Sequence, residues 1–185
     1  GVADRAKEFQ GLGFDARPAA GDLTEPDIAR LAVETAVRNY GRLDALINIA
    51  GGLTTYGPID SATVKAFDRE IGINLKTTVM MSQAAVDELA KTHGSIVNVS
   101  SIAYFQPTAN MAVYAAAKAG VAGFTRSLAA ELLPRSVRVN AIAPAMVRTP
   151  ENVGAAGSDA TYVEMQHITD GIMFLASAAA EALNG

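Results

Sequence analysis

The chain has 185 residues and a net charge of −4, half of its residues are hydrophobic, and cysteine is absent. This composition predicts one folded domain, 1–185, and excludes disulfides and cysteine nucleophiles. Because no basic patch and no apolar run of about 18 residues occur, neither nucleic acid nor a membrane is expected as a partner. With only two histidines, no metal site is expected either.

The first third of the chain predicts a helix, a strand and a second helix. Residues 3–10 have the composition of a helix that ends near Gly11 and Gly13. Residues 15–23 are typical of a short strand that runs into a turn. Residues 25–41 then have the apolar periodicity of an amphipathic helix.

The middle of the chain alternates apolar strands with long helices. Strands are predicted over 43–51, 95–101 and 137–144, and helices over 61–94 and 111–134. Strands that are apolar on both faces and alternate with long helices are typical of a parallel sheet covered on both sides. We therefore predict an α/β fold, a Rossmann-like doubly wound sheet in three layers.

The end of the chain predicts a polar loop or short helix over 157–166 and a last helix over 167–183. In open α/β sheets ligands bind at the carboxyl ends of the strands. The residues that fall there are Asp22, Asn48 to Gly51, Ser100, Ser101 and Pro144.

Tyr114 and Lys118 are four positions apart in an alanine-rich helix, so both side chains point to the same side. The pair is either an ordinary surface contact or a tyrosine whose proton is labile. Since their helix follows Ser101, both side chains can reach the edge at which the strands end. This placement favours a functional pair.

Six short motifs, in order, resemble those of the short-chain dehydrogenase/reductase family. Ser101 lies 13 residues before Tyr114, which is the family's spacing. The motifs are Gly21-Asp22-Leu23, Asn48 to Gly51, Asn74, Asn-Val-Ser-Ser ending at Ser101, Tyr114-x-x-x-Lys118, and Pro144 to Thr149. The resemblance covers nearly the whole chain.

The resemblance implies an NAD(P)-dependent oxidoreductase that acts on a carbonyl or alcohol. The cofactor carries the hydride and Tyr114 carries the proton as general acid/base, while Lys118 lowers the pKa of the Tyr114 phenol and bonds the nicotinamide ribose. Ser101 would hold the substrate oxygen, and Asn74 would anchor a water that relays protons. A mid-helix asparagine can also mark only a kink.

The resemblance also implies a set of residues that bind NAD or NADP, and the sequence does not discriminate between the two cofactors. These residues are Asp22, Leu23, Asn48, Ala50, Gly51, Tyr114, Lys118, Pro144, Ala145, Val147 and Thr149. Two of them have simpler interpretations. Asp22 can form only an Asx turn, and Thr149 can be only a helix cap.

The sequence departs from the family pattern in several places. Ile49 and Ala145 replace the family's asparagine and glycine, and the 17 residues between Thr149 and His167 are few for a substrate lid. The family opens with a strand and a glycine-rich phosphate loop, whereas Gly11 and Gly13 follow a helix. We therefore expect this chain to lack the first βαβ portion and the last strand.

Two alternatives remain open beside the enzyme: a catalytically idle cofactor-binding protein on the same fold, and a structural protein. The face of the 111–134 helix opposite Tyr114 is rich in small residues and predicts a homodimer or homotetramer. That face carries Ala115, Ala116, Ala119, Ala122 and Gly123, with Leu128, Ala129 and Leu132 further along the helix. The alternative is that the alanines reflect only helix propensity and that these faces pack inside the monomer. The expected location is the cytoplasm.

Overall fold

A computed structural model describes residues 1–185, and its centre is a parallel sheet of three strands. The strands are β1 Ala45–Asn48, β2 Ser95–Val99 and β3 Arg138–Ile142, in the spatial order β1-β2-β3. Since all three run the same way, their carboxyl ends lie along one edge. The predicted α/β class with a parallel sheet is confirmed.

The chain forms seven α-helices. They are α1 Val2–Gly11, α2 Pro26–Tyr40, α3 Val64–Ile71, α4 Thr77–Thr92, α5 Ala112–Leu132, α6 Pro150–Ala156 and α7 Met165–Ala176. None of them combines the length and apolarity that a membrane-crossing helix needs.

One face of the sheet packs against α4 and α5, with α2 packed on α4, and the other face packs against α7. Ile96 of β2 belongs to the first face, where it is buried with Leu89 of α4 and Leu132 of α5. The adjacent Ser95 points to the second face and donates from Oγ to Ala176 O at 3.2 Å. This alternation follows from the pleat of a strand, and each fully buried aliphatic side chain contributes about 1.5–3 kcal/mol.

A buried polar network ties β1, β2 and α5 together just below the strand ends. Asn48 Nδ2 donates to Asn98 Oδ1 at 2.8 Å, and Asn98 Nδ2 donates to Thr125 Oγ1 at 2.9 Å. Asn48 Nδ2 also lies 3.2 Å from Ser82 Oγ of α4. Because these amides are buried, their bonds fix the relative position of the strands and helices that carry the site.

The helical stretch predicted over 61–94 is helical but not uniform. Thr63 caps α3 by accepting from Ala66 N at 3.1 Å. Between α3 and α4 the chain forms a π turn over Gly72–Lys76, in which Thr77 N bonds Gly72 O. This π turn contains Asn74, and such turns occur often at functional sites.

The prediction of a strand over 15–23 is wrong. The segment pairs with no strand, and its carbonyls are held instead by side chains: Gln10 Nε2 donates to Ala16 O at 2.7 Å, and Tyr40 OH donates to Asp15 O at 2.6 Å. A segment forms a strand only when another strand lies beside it to accept and donate its main-chain hydrogen bonds.

The last predicted helix, 167–183, is too long at its end. It stops at Ala176 because Ser177 is extended, with ψ 168, and caps a short 3₁₀ turn over Ala178–Ala180. The chain then runs along the free edge of β3, where Gly185 N donates to Val139 O at 2.9 Å.

Helix α5 buries more of its surface than expected. Lys118 and Val121 are buried toward the sheet as predicted. The prediction of an exposed face is wrong for three residues further along the helix. These are Leu128, Ala129 and Leu132, which lie in the main core cluster. What remains exposed there are small residues, among them Ala116, Ala119 and Gly123.

Candidate active site

Ser101 lies at the carboxyl end of β2, where pairing with the chain after β3 continues beyond the strands. Ser100 N donates to Ile142 O at 2.8 Å, and Ile102 N donates to Pro144 O at 3.0 Å. Ser101 caps the 3₁₀ turn Ile102–Tyr104 by accepting from Ala103 N at 3.2 Å. Its side chain is thus held at the strand edge by a rigid turn.

Two hydrogen bonds attach α5 to the end of β2. Ser100 Oγ donates to Lys118 O at 2.8 Å, and Lys118 Nζ donates to Val99 O at 2.9 Å. Lys118 is only 3% exposed, so its ammonium is held in one place. Tyr114 is half-buried, and Lys118 Nζ lies 5.8 Å from the centre of its ring.

Burial dominates the proton affinities of this pair. It raises the pKa of Tyr114 above its ordinary value. The nearby Ser101 hydroxyl acts in the opposite direction, and the Glu70 carboxylate raises the pKa further. Burial lowers the pKa of Lys118 to about 8, against the effect of Glu70. Lys118 is thus not among the groups that shift the pKa of Tyr114, although the sequence predicted that it lowers this pKa. Its Nζ is directed to Val99 O instead.

Asn74 lies in the π turn with its side chain fully buried. Its Nδ2 donates to Gly52 O at 3.0 Å and to Glu70 O at 3.0 Å, and its Oδ1 accepts from Gly52 N at 2.9 Å. The π turn also packs against α5, because a Cβ built at Gly120 would lie 2.9 Å from Leu75 Cδ2. Asn74 Nδ2 also donates to Glu70 Oε1 at 3.1 Å, and the Glu70 charge acts on the pKa of both Lys118 and Tyr114, which brings Asn74 to the part of the site that holds this pair.

Glu70, the last acidic residue of α3, is a site residue that the sequence pattern did not predict. Its carboxylate is fully buried and acts on the pKa of both Tyr114 and Lys118. The available signal was its position four residues before Asn74, which puts both on one face of a helix. Charged residues at helical spacing are usually solvated, so that signal alone did not indicate burial.

The residues predicted to bind a cofactor are found around the same edge. Asp22 Oδ1 accepts from Thr24 N at 2.9 Å and from Thr24 Oγ1 at 2.7 Å, and these bonds lower the pKa of Asp22. Both bonds belong to an Asx turn, in which Leu23 is half-buried. The turn lies beside the π turn, since a Cβ built at Gly72 would lie 3.8 Å from Thr24 Cγ2.

The turn after β1 offers main chain rather than side chains. Ala50 and Gly51 are exposed, whereas the Asn48 side chain is used inside the core. Any contact between Asn48 and a cofactor would therefore have to use its main chain. Gly51, with φ 138, leaves no space for a Cβ, which would lie 2.5 Å from Asn74 Oδ1.

The chain after β3 completes the edge. Pro144 accepts a hydrogen bond from Ile102, Ala145 is exposed, and Val147 bridges to Val163. Thr149 caps α6 by accepting from Asn152 N at 3.2 Å, in a helix whose extent was not predicted. The capping role is thus real, and it leaves the cofactor role of Thr149 a prediction.

These residues fit part of a nicotinamide dinucleotide. The exposed main chain at Ala50 and Gly51 leaves room for a sugar or a nicotinamide, and it is linked to Lys118 and Tyr114 through Asn74 and Glu70. Within residues 1–185, however, Gly11 and Gly13 end a helix rather than follow a strand. The fit therefore covers the nicotinamide half of the cofactor and the Asp22 turn, and not a phosphate-binding loop.

A parallel sheet with helices on both faces is the architecture of a Rossmann-like protein, and the serine, tyrosine and lysine lie at the carboxyl edge where such proteins bind ligands. Residues 1–157 match the short chain dehydrogenase family. The chain is 39% identical over 172 residues to a trans-4-hydroxycyclohexanecarboxylate dehydrogenase of Sinomonas cyclohexanicum, covering 89% of this chain. The chain belongs to the short-chain dehydrogenase family.

Solved structures agree with this assignment. A short chain dehydrogenase of Burkholderia cenocepacia in complex with NADP superposes with a TM-score of 0.90 at 29% identity, covering 98% of this chain and 78% of the other. A carveol dehydrogenase of Mycobacterium avium in complex with NAD gives 0.89 at 26% identity, covering 98% and 76%. The chain spans 65% of the length of the Sinomonas relative.

Proposed function

We propose that the protein is an oxidoreductase that transfers a hydride between NAD or NADP and a carbonyl or alcohol group of a small molecule. The observation that carries this proposal is the meeting of Ser101, Tyr114, Lys118 and Asn74 at the carboxyl edge of the sheet. The two solved relatives hold NADP and NAD, which supports either cofactor.

Tyr114 is the general acid/base of the proposed reaction. When bound, the nicotinamide supplies or accepts the hydride. Because burial raises its pKa, the Tyr114 hydroxyl keeps its proton at neutral pH and can give it to a carbonyl oxygen as the alcohol forms. Ser101 Oγ holds the same oxygen and stabilises the charge that develops on it.

Lys118 and Asn74 support the proton transfer. The Lys118 ammonium binds the nicotinamide ribose and stabilises the Tyr114 phenolate that remains after the proton has left. Asn74 anchors a water through which the proton is replaced from solvent. Of the other predicted residues, Asp22 and Leu23 contact the adenosine end. The rest of the proposed cofactor site is formed by Ala50, Gly51, Pro144, Ala145, Val147, Thr149 and the main chain of Asn48.

An idle cofactor-binding or structural protein is the alternative, and its site has no need of an intact acid/base pair. This chain keeps Tyr114 and Lys118, and it buries Lys118 at the cost of desolvating an ammonium. A cost of that kind is typical of a working site.

The test is a spectrophotometric assay of the full-length gene product with a panel of ketones and alcohols, with NADH and NADPH compared. Activity is expected with one of the two cofactors. Tyr114→Phe should abolish turnover while cofactor affinity changes by no more than a few fold. Tyr40→Phe, which removes a hydroxyl at the end of α2 that bonds Asp15 O, is the control. Turnover by Tyr114→Phe within tenfold of the wild type would contradict the assignment.

We propose further that the protein is a homodimer or homotetramer in the cytoplasm. Support for self-association comes from α5, whose exposed side carries Ala116, Ala119 and Gly123 and would let a second helix approach closely. The proposed location is compatible with the absence of cysteine, which allows a reducing compartment.

A further inference from the structure

Glu70 is a fully buried carboxylate beside the candidate active site that the proposed chemistry does not use. Its two oxygens accept from three donors. Oε2 accepts from Thr54 N at 3.0 Å and from Thr54 Oγ1, and Oε1 accepts from Asn74 Nδ2 at 3.1 Å. Two of these donors are N–H groups, which can only donate, so the arrangement suits an ionised carboxylate.

Burying this carboxylate is costly, and no cation offsets the cost directly. Glu70 takes part in none of the ion pairs of the structure. Without an ion-pair partner, a buried carboxylate must be stabilised by hydrogen bonds. For Glu70 these hydrogen bonds come from Thr54 and from Asn74, a residue of the candidate site.

The bonds of Glu70 connect the π turn to the chain that follows β1. Asn74 holds Gly52 through two hydrogen bonds, and Glu70 holds Thr54 two residues further on. Asn74 Nδ2 also donates to Glu70, so the two side chains orient each other. Together they fix the main chain from Gly52 to Thr54, directly after the turn at Ala50 and Gly51 that the proposed cofactor would contact.

We propose that Glu70 is a positioning residue that holds Asn74 and the Gly52–Thr54 main chain in place and places a negative charge beside the Lys118–Tyr114 pair. The expected effects on KM and on the pH profile of catalysis rest on the proposed function. The expected effect on the pKa of Lys118 does not. Glu70 is not one of the four residues to which that function assigns the chemistry, and it acts through three of them: Asn74, Lys118 and Tyr114.

The charge of Glu70 reaches two groups that titrate, and it raises the pKa of both Lys118 and Tyr114. The other ionisable side chains of the elements packed here point to solvent and do not compete with it. They are Lys65, Asp68 and Arg69 of α3, Lys76 of the π turn, Tyr56 after β1 and Tyr104 of the 3₁₀ turn.

The electrostatic part is tested by titrating Lys118 in the full-length gene product without cofactor. NMR of ε-carbon-labelled lysine reports its pKa, with the signal assigned by Lys118→Arg. Glu70→Gln keeps the shape and removes the charge, so the Lys118 pKa should fall by about half a unit or more. Glu131→Gln, which removes an exposed carboxylate from α5, is the matched control and should change nothing. An unchanged Lys118 pKa in Glu70→Gln would overturn the electrostatic part.

The same change should move the pH profile of catalysis. In the direction of alcohol oxidation the rate rises with pH as Tyr114 loses its proton. Since Glu70 raises the Tyr114 pKa, Glu70→Gln should move this rise to lower pH by about half a unit or more. A residue with a purely structural role would lower stability and leave the profile in place, and that outcome would contradict the inference.

Thr54→Val tests the positioning part and does not depend on Glu70→Gln folding. It removes one donor to Glu70 and keeps the charge, so KM for the cofactor should rise several-fold while the pH profile stays in place. An unchanged KM would overturn the positioning part. The titration of Lys118 needs no substrate, so it can fail or succeed separately from the proposed function, which Tyr114→Phe decides.

Discussion

The side-chain amide of Asn74 pairs with the main chain of a single residue, Gly52, as a neighbouring strand would. Oδ1 accepts from Gly52 N at 2.9 Å, and Nδ2 donates to Gly52 O at 3.0 Å. An asparagine in the π turn thereby fixes the turn after β1, which is 22 residues earlier in the chain. The close approach of the two segments requires the residue before Gly52 to lack a side chain.

Gly51→Ala should therefore destabilise the protein and release Asn74. Gly51 has φ 138, which costs a residue with a Cβ about 1–3 kcal/mol, and the new Cβ would lie 2.5 Å from Asn74 Oδ1. We expect a lower free energy of unfolding in urea and a loss of turnover of at least tenfold in the full-length gene product.

Gly52→Ala is the matched control for this prediction. Gly52 also has positive φ, 158, but a Cβ there meets nothing within 4 Å. It should show the backbone cost without the clash, so its loss of stability should be smaller than that of Gly51→Ala. Equal losses would mean that the contact with Asn74 contributes nothing.

The second prediction concerns the dual role of Lys118. Lys118→Ala should raise KM for the cofactor and lower kcat together, because one ammonium is proposed to bind the ribose and to stabilise the phenolate. Steady-state kinetics and cofactor titration measure the two effects separately. Lys91→Ala, at an exposed position of α4, is the control. Cofactor affinity that is unchanged in Lys118→Ala would contradict the ribose contact.

How far the sequence could predict this site is shown by α5 and β2. The spacing of Tyr114 and Lys118 on an alanine-rich helix, and Ser101 after an apolar strand, were enough to place three of the proposed catalytic residues at one edge. These predictions succeeded because they depend on local periodicity and on the direction of parallel strands.

The features that the sequence did not predict depend on contacts between distant segments. The burial of Glu70 requires donors from Thr54, 16 residues earlier, and helical spacing alone does not reveal them. The segment 15–23 has the pattern of a strand and no strand to pair with. Leu128 was assigned to an exposed face because the pattern of α5 does not show which side meets α4 and β3.

The third prediction is a pH dependence of stability that is specific to Lys118. Burial lowers its pKa in the folded protein to about 8, from 10.5. Between these values the unfolded state binds more protons, so the free energy of unfolding rises with pH. The full gain is about 3 kcal/mol by pH 10.5, and the penalty is fully present below pH 8.

Urea unfolding of the wild type and of Lys118→Met between pH 7 and pH 10.5 measures this gain as a difference. The other titrating groups are common to both proteins and largely cancel. The wild type should gain stability relative to Lys118→Met as the pH rises. A difference that is flat, or that falls with pH, would show that the Lys118 ammonium is not destabilised by burial.

The last prediction concerns assembly through α5. Ala116, Ala119 and Gly123 are exposed one turn apart, and no other element of the chain covers them. If two copies pack through this face, a carboxylate at its centre must lose water without a partner, which opposes association. Ala119→Glu should therefore shift the full-length gene product toward monomer in analytical ultracentrifugation at micromolar concentration. Ala3→Glu, which adds the same charge at an exposed position of α1, should leave the oligomer intact. A wild type that sediments as a monomer would refute self-association, and an oligomer unaffected by Ala119→Glu would place the interface on another face.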